Sequence, residues 1–561
     1  MFALYIFLIF SKNIFLIYSV FYNLAVINIL ILVVNDIKIE DCLILFNVII
    51  LAYSLVMPTV LTKDPILGGD LSRELFISHG LEELHSIELL GVHDQIAFTS
   101  HVILCAIFQS IVPLNILQIN SLLFLVFIFS ITVLSYKLTL YTSSNRMLAS
   151  LSPLVIVLQQ IFLYSYQQGL RSFGWIVLFA TLMLIIVRFN FQYRALLLIL
   201  LTSCAMYYYT FSLLGIFLFP ILILIFYKRN KETKAIIAMG LIYSIVSIAW
   251  NFTYNYVLYY TIPSAIKGMI SSLSEILSIS KLEVNYAEMA ESTYSWKITL
   301  LINVIYVLII EAGAFLAFLS LVRHRKELKM HVAFIAACSL WGGGIVALTV
   351  LNIGLRLSLG INRALGLSII PALLYFNMSL SKISRNHKNY NRIKLYGATK
   401  LFLLILILVT YVVNTGTLHA LLNEDGFTYL DRESRRYLLW SVPLVDSIGY
   451  DFIAKHYQRG DVLADSYADN VYYLLFSLSP LNQSFLHTFH SISNNYIRFV
   501  RGFDPNNVKD SLVIMRYSNI KTGQIFLGGI GSGYSEKLNM DKLNKTMSNV
   551  YNNGDFFVLK N

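Results

Sequence analysis

The chain has 561 residues and a net charge of +11, with 57% hydrophobic and 13% charged residues, and a mean hydropathy of +0.68. A soluble domain carries about a quarter of its residues as charges, so composition excludes an ordinary soluble enzyme. The basic excess sits mostly in short loops between apolar runs, which marks membrane topology rather than nucleic-acid binding.

Apolar runs fill the first 414 residues and predict an α-helical polytopic membrane protein, because helices satisfy their own backbone hydrogen bonds in lipid. About 12 transmembrane helices are expected, at 14–34, 42–61, 115–136, 148–164, 172–187, 195–209, 211–227, 235–250, 298–321, 332–351, 364–380 and 400–414. Residues 1–13 either extend the first span or form a short extra one, and no small-residue cleavage site follows them, so a cleavable signal peptide is not expected. The apolar run Thr99 to Pro113 is short and would break the loop-charge alternation as a span, so it reads as an interfacial or re-entrant helix.

The loops after 136, 187, 227, 321 and 380 are rich in Lys and Arg, as in YKRNKETK and VRHRKELK. The alternate set, 62–98, 165–171, 251–297 and 352–363, is poor in them. The positive-inside rule puts the first set in the cytoplasm. The second set and the tail 415–561 are then extracytoplasmic, and the protein is a multi-pass cell-membrane protein. Cys42, Cys105, Cys204 and Cys338 all lie in or beside apolar segments, so no disulfide framework is expected.

The first outer loop, with the following segment to 114, opens with the most informative stretch, ILGGDLSREL. Asp70 follows Gly68-Gly69 and precedes a segment with helical spacing, in which Leu71, Leu75, Ile77, Leu81, Leu84 and Ile87 line one side. This predicts an amphipathic helix on the membrane surface. Asp70 suits a helix N-cap with Glu74 in the first turn. It equally suits a general base, or a ligand for a divalent ion such as Mg or Mn beside a phosphate. His79, His85, His93 and His101 lack zinc-site spacing and read as surface or interfacial residues.

Arg171, Arg356 and Arg363 stand at outer ends of apolar runs. Each can snorkel to lipid headgroups, or grip phosphate through its planar guanidinium. Tyr207, Tyr208 and Tyr209 end a span on the outer side, as an aromatic belt or as contacts to a sugar or prenyl chain. Glu311 lies within a span, where a carboxyl is costly without a partner, and it is assigned no catalytic role. The outer loop 251–297 is long enough to cover a site.

The tail alternates strand-like and helical stretches and predicts a small α/β or α+β domain. SLVIMRYSNI and GDFFVLKN read as strands, and RGDVLADSYADNVYYLLFSLS as strand, loop and helix. IFLGGIGSGYS lacks the lysine and the strand–helix setting of a P-loop. Asp465 and Asp469 suit loop or cap roles.

In this order, the span, Gly69-Asp70 with Glu74, the arginine opening LRSFGWIVLFATL, Asn362-Arg363 before an apolar run, and the ending MSNVYNNGDFFVLKN resemble the GT-C superfamily of membrane glycosyltransferases. More narrowly, they are similar to a mainly archaeal multi-pass family related to protein mannosyltransferases. The resemblance implies a GT-C-like membrane domain at 1–414 and an inverting transfer of sugar from a polyprenyl-phosphate donor to a glycan, lipid or protein acceptor. It implies that Asp70 is the base or a metal contact, with Glu74 second. Arg171, Arg356 and Arg363 would then face the donor phosphate, and Tyr207 and Tyr208 the substrate. Where the family tends to have His-Tyr, this chain has Tyr207-Tyr208, so no histidine role carries over. A lipid-linked glycan polymerase or ligase, a transporter or flippase, and a non-catalytic assembly subunit are the competing readings. No convincing internal repeat favours a transporter.

Overall fold

The computed structural model describes residues 99–114, 116–159, 171–187, 194–226, 231–254, 294–324, 328–350, 361–386, most of 401–413, 444–456 and scattered positions within 43–50 and 74–81. In the tail it also describes 462–463, 512–522, 524–526, 535–537, 548–552 and 557–560. The protein is mainly helical. Eleven helices are described before residue 400: α1 Thr99–Ile111, α2 Ile116–Ser143, α3 Arg146–Val157, α4 Arg171–Val187, α5 Arg194–Tyr207, α6 Tyr209–Ile216, α7 Leu218–Phe226, α8 Lys231–Tyr254, α9 Tyr294–His324, α10 Met330–Val350 and α11 Ile361–Asn386. Three stretches, Gln118–Ser143, Leu301–His324 and Met330–Val350, are long and apolar enough to cross a membrane. The expected span 14–34, and all but a few helical positions of 42–61, lie outside the described residues.

Two expected spans differ in detail. The span at 148–164 is regular helix only to Val157, and the backbone N–H of Leu158 closes its last turn on the Leu154 carbonyl. Helix α3 is buried along its whole length from Met147 to Val157. A helix that is apolar all round belongs in an interior, and neighbours tie it there. Tyr306 Oη donates to the Val155 carbonyl at 3.0 Å, and Asn377 Nδ2 donates to Ser152 Oγ at 3.0 Å. The span at 211–227 is two helices, α6 and α7, broken at Phe217. The cause is Pro220: it has no N–H, and its ring excludes a helical carbonyl four residues back, at Ile216.

Helix α3 follows α2 through a tight turn. Ser144 takes the left-handed conformation (φ 54°), and Asn145 caps α3 by accepting from the Leu148 N–H. Helices α9, α10 and α11 form the most extensively packed group. Small residues permit this approach, as is usual between membrane helices. A Cβ on Gly313 would stand 2.7 Å from the Ala372 carbonyl oxygen, and one on Gly342 would stand 3.0 Å from Ser368 Cβ. Ser368 Oγ donates to the Gly342 carbonyl across the same seam.

In the tail, helices α12 (Leu444–His456) and α13 (Tyr517–Thr522) accompany six strands: β1 Val462–Leu463, β2 Leu512–Met515, β3 Gln524–Phe526, β4 Ser535–Lys537, β5 Ser548–Asn552 and β6 Phe557–Lys560. Four strands form a mixed sheet in the order β1-β2-β6-β5, with β1 parallel to β2 and the other pairs antiparallel. The expected strand SLVIMRYSNI is strand only to Met515 and then becomes α13. Asp446 of α12 forms a buried ion pair with Arg516, and its Oδ1 accepts from the Tyr517 N–H at 2.9 Å. IFLGGIGSGYS joins the antiparallel strands β3 and β4, a setting unlike a P-loop. Asp465 and Asp469 lie outside the described residues.

Candidate functional site

The site begins where α5 ends. A helix terminus leaves carbonyls without intrahelical donors, and here the Cys204 carbonyl acquires two new ones. Trp175 Nε1 donates to it at 2.9 Å, and Ser212 Oγ at 3.0 Å. These bonds hold Tyr208 in extended conformation (φ −148°, ψ 114°) between α5 and α6. Tyr207 and Tyr208 therefore turn inward. Both are buried, which corrects the alternative of an aromatic belt facing lipid headgroups.

Tyr208 meets α11. Arg363 Nη1 donates to Tyr208 Oη at 3.1 Å, across 155 residues of sequence. The Tyr208 ring packs edge-on to Phe211 at 4.8 Å, and Phe211 packs edge-on to Trp175 at 5.2 Å. Trp175 in turn stacks on Phe179 and lies 6.4 Å from Trp341. Trp341 is fixed by its own Nε1 donating to the Leu214 carbonyl at 2.8 Å.

Tyr207 lies against α4, where Gly174 leaves space for its ring; a Cβ at that position would overlap the ring atoms. On another side it meets the first outer loop. Glu74 is 2% exposed, and its carboxyl lies within electrostatic reach of the Tyr207 hydroxyl and the Cys105 thiol. Ser78 Oγ donates to the Glu74 carbonyl at 2.8 Å, and Ser78 lies near the Cys105 thiol. His79 Nδ1 and Gln109 Nε2 are paired at 3.2 Å.

The described part of the loop helix thus differs from a surface amphipathic helix. Leu75 and Ile77 are buried as expected, but so are Glu74, Ser78 and His79, because α1 packs where solvent was expected. His79 is correspondingly an internal residue rather than a surface one.

On the side of Trp175 and Cys204 lies a small, partly open cavity, lined also by Phe179, Gly215, Tyr243 and Trp341 among others. Its walls are almost entirely apolar. Tyr243 Oη is turned away to donate to the Ser212 carbonyl at 3.1 Å, and water gains little in such a space.

Of the residues singled out by sequence, Glu74, Tyr207, Tyr208 and Arg363 are therefore gathered from the first loop, α5 and α11. Arg171 is the first residue of α4, three positions before Gly174. Asp70 and Arg356 lie outside the described residues. Among the described residues there is no group of three or more His, Cys, Asp or Glu side chains suited to a metal. Sequence reasoning missed Gly174, Trp175, Ser212, Trp341 and the Ser78–Cys105 and His79–Gln109 contacts. The one available signal was Gly174 itself, a glycine inside an apolar helical run. The sequence matches no known protein family and no curated protein.

Proposed function

We propose that the protein is a membrane glycosyltransferase. It takes a sugar from a polyprenyl-phosphate carrier and passes it to a glycan, lipid or protein acceptor on the outer face of the cell membrane, with the tail 415–561 as an extracytoplasmic domain. The observation that carries this reading is that adjacent Tyr207 and Tyr208 meet the Glu74 carboxyl and the Arg363 guanidinium respectively, while Trp175 and Cys204, which hold this turn, also line an apolar cavity. An amphiphilic donor needs this combination: a cation for its phosphate, an apolar volume for its chain, and a carboxylate nearby for the acceptor.

In the proposed reaction Asp70 removes a proton from the acceptor hydroxyl. The oxygen attacks the anomeric carbon while the bond from that carbon to the phosphate oxygen breaks. The polyprenyl phosphate leaves with the bonding pair, and Arg363, with Arg171 and Arg356, stabilises the charge that develops on it. Glu74, four residues from Asp70, sets the charge of the surroundings. Tyr208 orients the Arg363 guanidinium.

The test is transfer in proteoliposomes, with polyprenyl-phosphate sugars as donors and a panel of glycan, lipid and peptide acceptors. Wild type should transfer at least one sugar, and Asp70→Asn should reduce the rate by about a hundredfold or more, the usual scale of a general base. Equal rates from the two proteins would sink the assignment of Asp70.

A further inference from the structure

Three walls of the apolar cavity are tied to the segment that carries Tyr208. Trp175, Tyr243 and Trp341 come from α4, α8 and α10 and all line the cavity. Each sends its one polar hydrogen to a backbone carbonyl of that segment: Trp175 to Cys204 at 2.9 Å, Tyr243 to Ser212 at 3.1 Å and Trp341 to Leu214 at 2.8 Å. Side chains that served only as apolar wall would need no such donors.

Three hydrogen bonds lead from the Tyr243 ring to the Arg363 guanidinium. Tyr243 Oη donates to the Ser212 carbonyl, Ser212 Oγ donates to the Tyr208 carbonyl at 2.8 Å, and Arg363 Nη1 donates to Tyr208 Oη. Gly215 puts no Cβ between α6 and Tyr243; an added one would overlap the Tyr243 hydroxyl. A group pressed on the cavity side of the ring therefore bears on α6 itself. Tyr208 stands in extended conformation between α5 and α6, a joint at which α6 can change direction without either helix breaking.

The cavity has the shape of a chain. Its α4 wall runs from Trp175 through Phe179 and Leu182 to Ile186, one face of the helix and about 16 Å along its axis. A small volume drawn out over that length is a slot. It takes an extended hydrocarbon and leaves no width for a sugar ring, and its apolar walls offer nothing to a headgroup.

We infer that Tyr243 is a positioning residue: a hydrocarbon chain seated in the slot sets the Tyr208–Arg363 pair through the Tyr243 hydroxyl, so the donor's chain speeds transfer as well as strengthening binding. The identity of the donor rests on the transferase reading. Binding energy from a remote part of a substrate that is used at the reacting centre appears in kcat, not in KM alone.

The test measures kcat and KM of the full chain in proteoliposomes for sugar phosphates on a short and on a long prenyl chain. In wild type, kcat should be about tenfold higher with the long chain, the scale of one net hydrogen bond. Tyr243→Phe keeps the ring in the wall and loses only the hydroxyl. It should hold kcat at the short-chain value for both donors, while KM still falls with chain length. A variant that slows both donors by the same factor overturns the inference, because Tyr243 then only supports the fold; so does a wild-type kcat that ignores chain length. A second measurement needs no transfer, because coupling between two sites is reciprocal. In a steroid detergent, whose fused rings are too broad for the slot, saturating dodecane should tighten calorimetric binding of inorganic phosphate about fivefold in wild type and leave it unchanged in Tyr243→Phe. Tightening in neither protein, or equally in both, overturns the inference. Coupling in a protein that transfers from no donor would remove the transferase reading and leave the link from slot to Arg363 in place.

Discussion

Substituting Gly174 by alanine isolates the contact that seats Tyr207 against α4. Gly174 is inside a helix, where alanine is favoured over glycine by about 1 kcal/mol. The added methyl, however, would overlap the Tyr207 ring, which is buried and hemmed in by Glu74 and Cys105 on its other side. Overpacking of this severity costs about 3 kcal/mol. The helix gain offsets part of it, leaving a net loss of about 2 kcal/mol. The decisive comparison uses Tyr207→Ala as the background. With the ring gone, the same Gly174→Ala change should stabilise by up to about 1 kcal/mol, so the sign of its effect reverses. The assay is a double-mutant cycle on unfolding in mixed micelles, titrated with denaturing detergent and followed by circular dichroism. If Gly174→Ala is neutral or stabilising in the wild-type background, or equally destabilising in both, Tyr207 does not occupy the space over Gly174.

Arg363→Lys keeps the charge but loses the planar fork that meets Tyr208, and sugar transfer should slow by about tenfold to a hundredfold, the value of one charge-assisted hydrogen bond; an unchanged rate would remove Arg363 from the phosphate site. Trp341→Phe removes one of two donors to the Leu214 carbonyl, the Phe217 N–H remaining, and should cost about 0.5–1.5 kcal/mol in the same unfolding assay. In the tail, Asp446→Ala strands the Arg516 charge and should destabilise by about 3–5 kcal/mol, while the double change Asp446→Leu, Arg516→Met should cost much less. Limited proteolysis of the intact protein reads this difference, and equal susceptibility of the single and double variants would argue against the ion pair.

Much of the helical order was legible in the sequence because lipid imposes a simple rule on it. The apolar run 298–321 falls within α9, which extends a few residues further at each end, and the run 332–351 agrees with α10, Met330–Val350, to within two residues at each end. What pattern alone missed came from contacts between distant segments. Nothing local at Val157 says that α3 stops there. The break between α6 and α7 was written in Pro220, a cue that hydropathy averaging conceals.

The site shows the same division. Glu74 stood out through its place four residues after Asp70 in ILGGDLSREL, and Arg363 as a cation on the outer side, where Lys and Arg are few. The inward turn of Tyr207 and Tyr208 depends instead on Trp175 and Ser212 capturing the Cys204 carbonyl, a bond pattern with no linear signature. The surface reading of the loop helix failed for a related reason. Its polar residues meet Cys105 and Gln109 of α1, and periodicity shows which side of a helix is polar but not what covers it.

The pair Trp175 and Trp341 gives the molecule a native optical reporter. They are two of its five tryptophans, and both border the apolar cavity with rings 6.4 Å apart. A brominated lipid chain that entered this space would quench both indoles on contact, so entry of a chain can be followed in the unlabelled protein as a loss of ultraviolet emission.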